Sequence, residues 1–294
     1  MFKITKAVLP VAGFGTRFLP ATKVILKEML PIVDKPLIQY AVDEAIISGI
    51  TEIIFITGRS KQTVEDYFDK SYEIERKLEE QGKNELLEVV RNIKPSHINF
   101  HYVHQQKALG LGHAILCAEK IIKNNPFAVI LVDDLLDGTP PVMKQIIDVF
   151  NCYQKSVIGI EKISLSDTKS YGIIKGKELD NSIINVTGVF EKPEPSLAPS
   201  NLGIVGRYIL TPRIFNHLSV LKPSINGELQ LTDAIKALLL EEDIIAYKYK
   251  GIRYDCGSKI GYLKATIEFA LRHTEIGSDF KAYLIERGYL NLIK

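Results

Sequence analysis

An apolar run that stops abruptly at glycines limits what this chain can fold into. Residues 7–11 read Ala-Val-Leu-Pro-Val and pass straight into Ala12-Gly13-Phe14-Gly15-Thr16-Arg17. Such a run predicts a buried strand ending in a turn stripped of side chains. Glycines there let backbone N–H groups come close to an anion, since nothing projects between chain and ligand. Arg17 adds a guanidinium fork suited to phosphate oxygens, and Lys27 a compact point charge ten residues on. The stretch therefore reads as a polyphosphate cradle at the mouth of a parallel sheet. A plain βα turn with a solvated Arg and Lys fits the loop alone equally well. A nicotinamide-dependent dehydrogenase does not fit, because the dinucleotide fingerprint needs a third glycine where Phe18 stands.

The following sequence alternates between strand and helix patterns for about 160 residues, which predicts a parallel sheet with helices on both faces. After Pro36, an apolar stripe of Leu37, Ile38, Ala41, Val42, Ala45 and Ile46 predicts a helix closed by Gly49. Residues 71–94 are rich in Glu, Lys and Arg and predict a solvent-facing helical excursion. The strand predicted at Ile98–Val103 leads to Gln105 and then Gly110-Leu111-Gly112-His113. A glutamine amide can offer donor and acceptor together, as a pyrimidine edge requires, although the segment alone reads first as a structural glycine turn. His113 reads as a packing residue. The most apolar strand, Phe127–Val132, ends in Asp133-Asp134, and ligands of open parallel sheets gather beyond such strand ends. A carboxylate there is well placed for Mg²⁺, or serves as a turn former.

Beyond Asn151 the strands at Val157–Glu161, Tyr171–Ile174 and Ile183–Phe190 follow one another without helices between them, predicting an antiparallel addition to the sheet. Gly203 and Gly206 sit in a further strand and permit close backbone approach. Thr211-Pro212 predicts a helix N-cap with proline at the first helical position. The last thirty residues are amphipathic and helical in pattern.

Composition removes several classes. With 37 basic and 35 acidic residues the net charge is +2, too balanced for a nucleic-acid surface. No run of 18 apolar residues predicts a membrane span. Lysines 3 and 6 ahead of an apolar stretch imitate a secretory signal, but the stretch is too short and is broken by proline and glycine. Three widely spaced cysteines, Cys117, Cys152 and Cys256, suit the reducing cytoplasm.

The longer pattern Gly-x-Gly-Thr-Arg-Phe-Leu-Pro-x-Thr-Lys, with Lys-Glu-Met-Leu-Pro and Asp-Lys-Pro-Leu-Ile-Gln-Tyr after it, resembles the sugar-1-phosphate nucleotidyltransferases. More narrowly it resembles the bacterial UTP–glucose-1-phosphate uridylyltransferases, also called UDP-glucose pyrophosphorylases. The likeness runs through nearly the whole chain in at least six motifs, in order. Two departures stand out: Leu26 and Val132 each replace a proline of the pattern.

The resemblance implies an α/β fold with a Rossmann-like, mostly parallel mixed sheet flanked by helices, plus the antiparallel sugar-binding addition. It implies one nucleotidyltransferase domain: residues 1–150 mainly for the nucleotide, 151–257 mainly for the sugar, and 258–294 as C-terminal helices. Ala12, Gly13, Gly15, Thr16, Glu28, Gln105 and Gly110 are its nucleotide-binding positions, and Gly172, Glu191, Lys192 and Gly206 its sugar-binding ones. Arg17, Lys27 and Lys192 carry the catalytic charges, while Asp133 and Asp255 are the metal candidates. UTP, glucose 1-phosphate, UDP-glucose and pyrophosphate are the implied substrates and products, Mg²⁺ the cofactor, and a homodimer or homotetramer the assembly. A thymidylyltransferase shares much of this pattern, and a catalytically silent nucleotide sensor could use the same fold. Lys-Glu-Met-Leu-Pro and Gln105 favour uridylyl transfer, and the complete set of cations and carboxylates favours an enzyme.

Overall fold

The computed structural model describes residues 2–58, 61–224 and 227–289. The first strand, β1 (Lys6–Val11), is followed by the short β2 (Pro31–Ile32) and β3 (Lys35–Pro36), helix α1 (Leu37–Ile47) and β4 (Glu52–Thr57). Helices α2 (Lys61–Phe68), α3 (Tyr72–Glu80) and α4 (Asn84–Arg91) lead to β5 (Asn99–His104), α5 (Gly110–Leu116), α6 (Glu119–Ile122), β6 (Phe127–Ile130), β7 (Asp134–Asp137) and α7 (Val142–Tyr153). The second half holds β8 (Val157–Lys162), β9 (Gly172–Glu178), β10 (Ile183–Glu191), β11 (Leu202–Leu210), α8 (Ile214–Val220) and α9 (Leu231–Leu238). It closes with β12 (Ile245–Lys248), β13 (Ile252–Asp255), α10 (Lys259–Leu271) and α11 (Gly277–Glu286).

One nine-stranded sheet, in the order β5-β4-β1-β6-β11-β8-β12-β10-β9, runs through both halves. Parallel ladders join β5, β4, β1 and β6. Strand β11 then enters antiparallel to both β6 and β8. The expected architecture holds in part. The first half is parallel and the second mixed, since β12 pairs parallel with β8 but antiparallel with β10. Strand β1 shows why its run is apolar throughout. Ala7 and Leu9 enter the core under α1 and α7, while Val8 enters the opposite core under α5, α8 and α9. Each of these side chains is fully buried, worth about 1.5–3 kcal/mol for a Val or Leu.

Local signals held in most places. Gly49 takes φ 91° after α1, and α3 and α4 form the charged excursion. The predicted cap at Thr211 is corrected: α8 begins at Ile214, and Thr211 Oγ1 instead donates to Glu242 Oε1 at 2.8 Å. That carboxylate comes from the connection between α9 and β12. Among the described residues no helix is long and apolar enough to cross a membrane.

Candidate active site

A cleft of about 570 Å³ opens at the strand ends where the parallel half meets β11. It adjoins a second hollow of about 330 Å³, the two sharing Gly110, Leu111, Asp133 and Glu228 as walls. The hollow is lined by Ala12, Gly13, Lys27, Glu28 and Gln105, and the larger cleft by Arg17, Gly172, Glu191, Lys192, Gly206 and Asp255. Sequence positions spread over more than 240 residues thus meet in one continuous depression. Gly15 and Thr16 line neither space. Gly15 shapes the loop at φ 60°, where an added Cβ would lie 3.1 Å from Lys27 Cβ and Thr22 Cγ2. Another cavity of about 590 Å³ between α1, α2, α4 and α10 has none of the predicted residues in its walls.

The centre of the cleft is electrostatic. A Cβ built on Gly257 would lie 3.0 Å from Asp133 Oδ2, 3.0 Å from Asp255 Oδ1 and 3.4 Å from Arg17 Nη1. Two carboxylates and a guanidinium therefore converge on one bare glycine. Arg17 Nη1 donates to the Gly257 carbonyl at 3.2 Å, and Lys27 Nζ donates to Asp133 Oδ2 at 2.6 Å. Burial opposes the charge on both members of this pair, but their mutual attraction outweighs it. The Lys27 pKa is raised and that of Asp133 lowered, so the pair stays ionised. Burial pushes the neighbouring Glu28 carboxyl up, and its Oε2 has no partner among the described residues. Asp255 is held by the turn it begins. Its Oδ1 accepts from Gly257 N at 3.0 Å and its carbonyl from Ser258 Oγ at 2.9 Å, while Ser258 caps α10 by accepting from Gly261 N.

Asp134, adjacent in sequence, is spent on structure. Its carboxylate accepts from Gly206 N at 2.7 Å and from Arg253 Nε at 2.8 Å. A Cβ on Gly206 would meet Asp134 Oδ2 at 2.8 Å, so the close approach that this glycine permits is to the protein's own carboxylate. Arg253 Nη1 also donates to Glu161 Oε1 at 3.0 Å and to the Tyr171 hydroxyl at 2.7 Å. Beneath lies Arg207, 1% exposed, whose guanidinium donates to Glu44 and to the carbonyls of Leu131, Gly206 and Asp134. This ion pair anchors the 131–134 turn that presents Asp133. Sequence reasoning missed Arg207, Glu44 and Arg253, for an arginine in a strand gives no hint of a buried partner 163 positions away.

At the far end Glu191 Oε2 accepts from Thr232 Oγ1 at 2.9 Å, and Glu191 Oε1 lies 3.1 Å from Lys192 Nζ. Lys192 adopts φ 44°, a conformation non-glycine residues rarely take, and remains half exposed. A Cβ on Gly172 would meet Thr232 Cγ2 at 2.9 Å, which is why that position is bare. At the other end the expected pair of free groups on Gln105 is corrected. Its Nε2 is already used, 3.3 Å from Gly110 O and 2.8 Å from His113 Nδ1. Segment 228–232 spans the distance between the ends: Leu229 exchanges backbone bonds with Leu109 and Gly112, and Thr232 holds Glu191. Among the described residues no group of three or more His, Cys, Asp or Glu is arranged to hold a metal.

Residues 6–270 match the family model described as nucleotidyl transferase. The UTP–glucose-1-phosphate uridylyltransferase of Staphylococcus epidermidis is 47% identical over 284 residues, covering 97% of this chain and 98% of that protein. The chain belongs to the UTP–glucose-1-phosphate uridylyltransferase family. As a member of that family it is a nucleotidyltransferase enzyme. A solved UDP-glucose pyrophosphorylase complexed with UDP-glucose superposes with a TM-score of 0.85 at 47% identity, covering 93% of this chain and all of that one. A UTP-bound UGPase from Acinetobacter baumannii gives a TM-score of 0.89 at 42% identity, covering 97% and 99%. A thymidylyltransferase from Bacillus anthracis, 23% identical with a TM-score of 0.71, shares the fold alone.

Proposed function

We propose that the chain transfers a uridylyl group from UTP to glucose 1-phosphate, giving UDP-glucose and pyrophosphate. The observation that carries this reading is the convergence of Asp133, Asp255 and Arg17 on Gly257, with Asp133 in the wall shared by the hollow of Gln105 and the cleft of Glu191-Lys192. The nucleoside lies in the hollow against Ala12, Gly13, Gly110 and Gln105, with Glu28 beside it. The hexose lies against Gly172, Glu191 and Gly206.

A phosphate monoester has a second pKa of about 6, so the attacking oxygen is already ionised near pH 7 and no general base is needed. The barrier is the approach of two polyanions and the charge growing on the leaving pyrophosphate, so catalysis rests on positioning and positive charge. Arg17 and Lys27 hold the β and γ phosphates, with Gly15 and Thr16 shaping the loop around them. Lys192 draws the sugar phosphate to the α-phosphorus from the side opposite the departing group. Asp133 and Asp255 are the residues that would hold Mg²⁺. They suit it because an oxygen of each lies 3.0 Å from the point where a Gly257 Cβ would stand, because Asp133 already draws the Lys27 ammonium, and because Mg²⁺ binds through one or two carboxylates plus substrate phosphates. When bound, the ion supplies Lewis-acid polarisation of a phosphate oxygen.

Initial rates of pyrophosphate release with UTP, dTTP, CTP and ATP against glucose 1-phosphate test the reading. UTP is expected to lead and EDTA to abolish release, whereas a clear dTTP preference would overturn the choice of nucleotide. We also read the chain as one domain, mainly nucleotide-binding over 1–150, mainly sugar-binding over 151–257 and helical from 258; the last five residues lie outside those described. The shared nine-stranded sheet supports that division as parts of one body. Ile260, Leu263 and Ile267 form an exposed apolar stripe along α10, which supports a homo-oligomer as a dimer or tetramer. Three unpaired thiols support the cytoplasm as its place.

A further inference from the structure

The side-chain amide of Gln105 is fixed from behind. Gln105 is 6% exposed, and its own backbone N donates to Thr57 O at 2.8 Å. Its Nε2 lies 3.3 Å from Gly110 O and 2.8 Å from His113 Nδ1. A carbonyl oxygen can only accept, so the group turned toward Gly110 is the NH₂ and not the amide oxygen. With the NH₂ there, Nδ1 must accept the second bond, and the imidazole proton belongs on Nε2. The 3.3 Å contact is too long to hold the amide alone, which leaves the 2.8 Å bond to His113 as the main restraint. Oε1, with no partner among the described residues, is left for the hollow walled by Ala12 and Gly13.

We infer that His113 is a positioning residue that locks the Gln105 amide with its oxygen toward the base, making the site select a ring with N–H at position 3. This rests on the reading of the hollow as the nucleoside site. Uracil carries N3–H and donates to Oε1, whereas cytosine presents a bare N3 acceptor that Oε1 repels. Thymine shares the uracil edge, so this contact does not exclude it. Without His113 the amide can rotate by 180° and offer its NH₂ to cytosine N3. A site that reads a substrate N–H discriminates because the wrong base leaves a buried group unpaired.

The test is equilibrium titration of UTP and of CTP into wild type, His113→Ala and His113→Asn, with initial rates and melting temperatures on the same proteins. Asparagine keeps an acceptor oxygen near the place of Nδ1. The expected result for His113→Ala is a loss of about tenfold in UTP affinity relative to CTP, the worth of one hydrogen bond. The KM for UTP should rise far more than kcat falls, and His113→Asn should recover most of the preference. A UTP-to-CTP ratio in His113→Ala within twofold of wild type overturns the inference, as does equal impairment of the Ala and Asn variants. Pyrophosphate release by wild type reads the proposed reaction separately. A wild type that binds UTP over CTP without turnover overturns that reaction but not the role of His113. A wild type with no preference between the two overturns the role of His113.

Discussion

The mouth of the cleft and the floor beneath it both pair cations with carboxylates, yet in opposite ways. At the mouth each cation has few partners: Arg17 a carbonyl, Lys27 chiefly Asp133, Lys192 its neighbour Glu191. On the floor Arg207 and Arg253 spread their donors over several acceptors each, with 1% and 11% of their side chains exposed. A cation with one partner can exchange it for a phosphate at small cost. A guanidinium that shares its donors among several acceptors cannot, and serves by holding the turn under Asp133 in place. Adjacent Asp133 and Asp134 divide the same way, one paired chiefly with Lys27 and one held by both Gly206 N and Arg253.

The largest expected effect breaks the floor. Arg207→Leu strands the Glu44 carboxylate in the core and should cost about 3–5 kcal/mol, read by denaturant unfolding. Adding Glu44→Leu should return much of that loss; if the double variant is no more stable than the single one, the floor is not held by this pair. Breaking the mouth should read differently. Lys192→Ala is expected to lower turnover by roughly two orders of magnitude, with little change in melting temperature. Near-normal steady-state rates would remove Lys192 from the mechanism.

A pH series on Lys27→Met sharpens the contrast. The depressed Asp133 carboxyl contributes stability above its unfolded value, lost as pH falls through the folded one. The raised Lys27 contributes below its unfolded value, lost as pH rises through the folded one. Wild type should therefore exceed Lys27→Met in stability between about pH 5 and 10, the gap closing below about pH 4 and again above about 10.4. A gap that is flat across the whole range would mean the pair is not ionised. The smallest effect tests the far end: Thr232→Val removes one hydrogen bond to Glu191 and should raise the KM for glucose 1-phosphate by about three- to tenfold, leaving the KM for UTP unchanged.

The mouth was legible in the sequence and the floor was not, for a physical reason. Gly13, Gly15 and Arg17 lie within five residues, so the chemistry of a phosphate loop can be read from adjacency. The apolar run of β1 announced a doubly covered strand. Glu44 and Arg207 are apart by most of the chain, and each looks like a solvated surface charge until β11 is laid beside β6. The order of β8, β11 and β12 depends on tertiary pairing, which no local pattern encodes. Gln105 lines the hollow as its place after β5 suggested, but the bond of its amide to His113 could not be read, because that partner comes from the next helix.

Segment 228–232 is tied to the start of α5 through Leu229 and to the Glu191 carboxylate through Thr232. Under the proposed function, a base placed against Gly110 and a sugar held by Glu191 would share this one connection. Occupancy at one end should then tune affinity at the other by an equal factor in each direction, a reciprocity that paired titrations would expose.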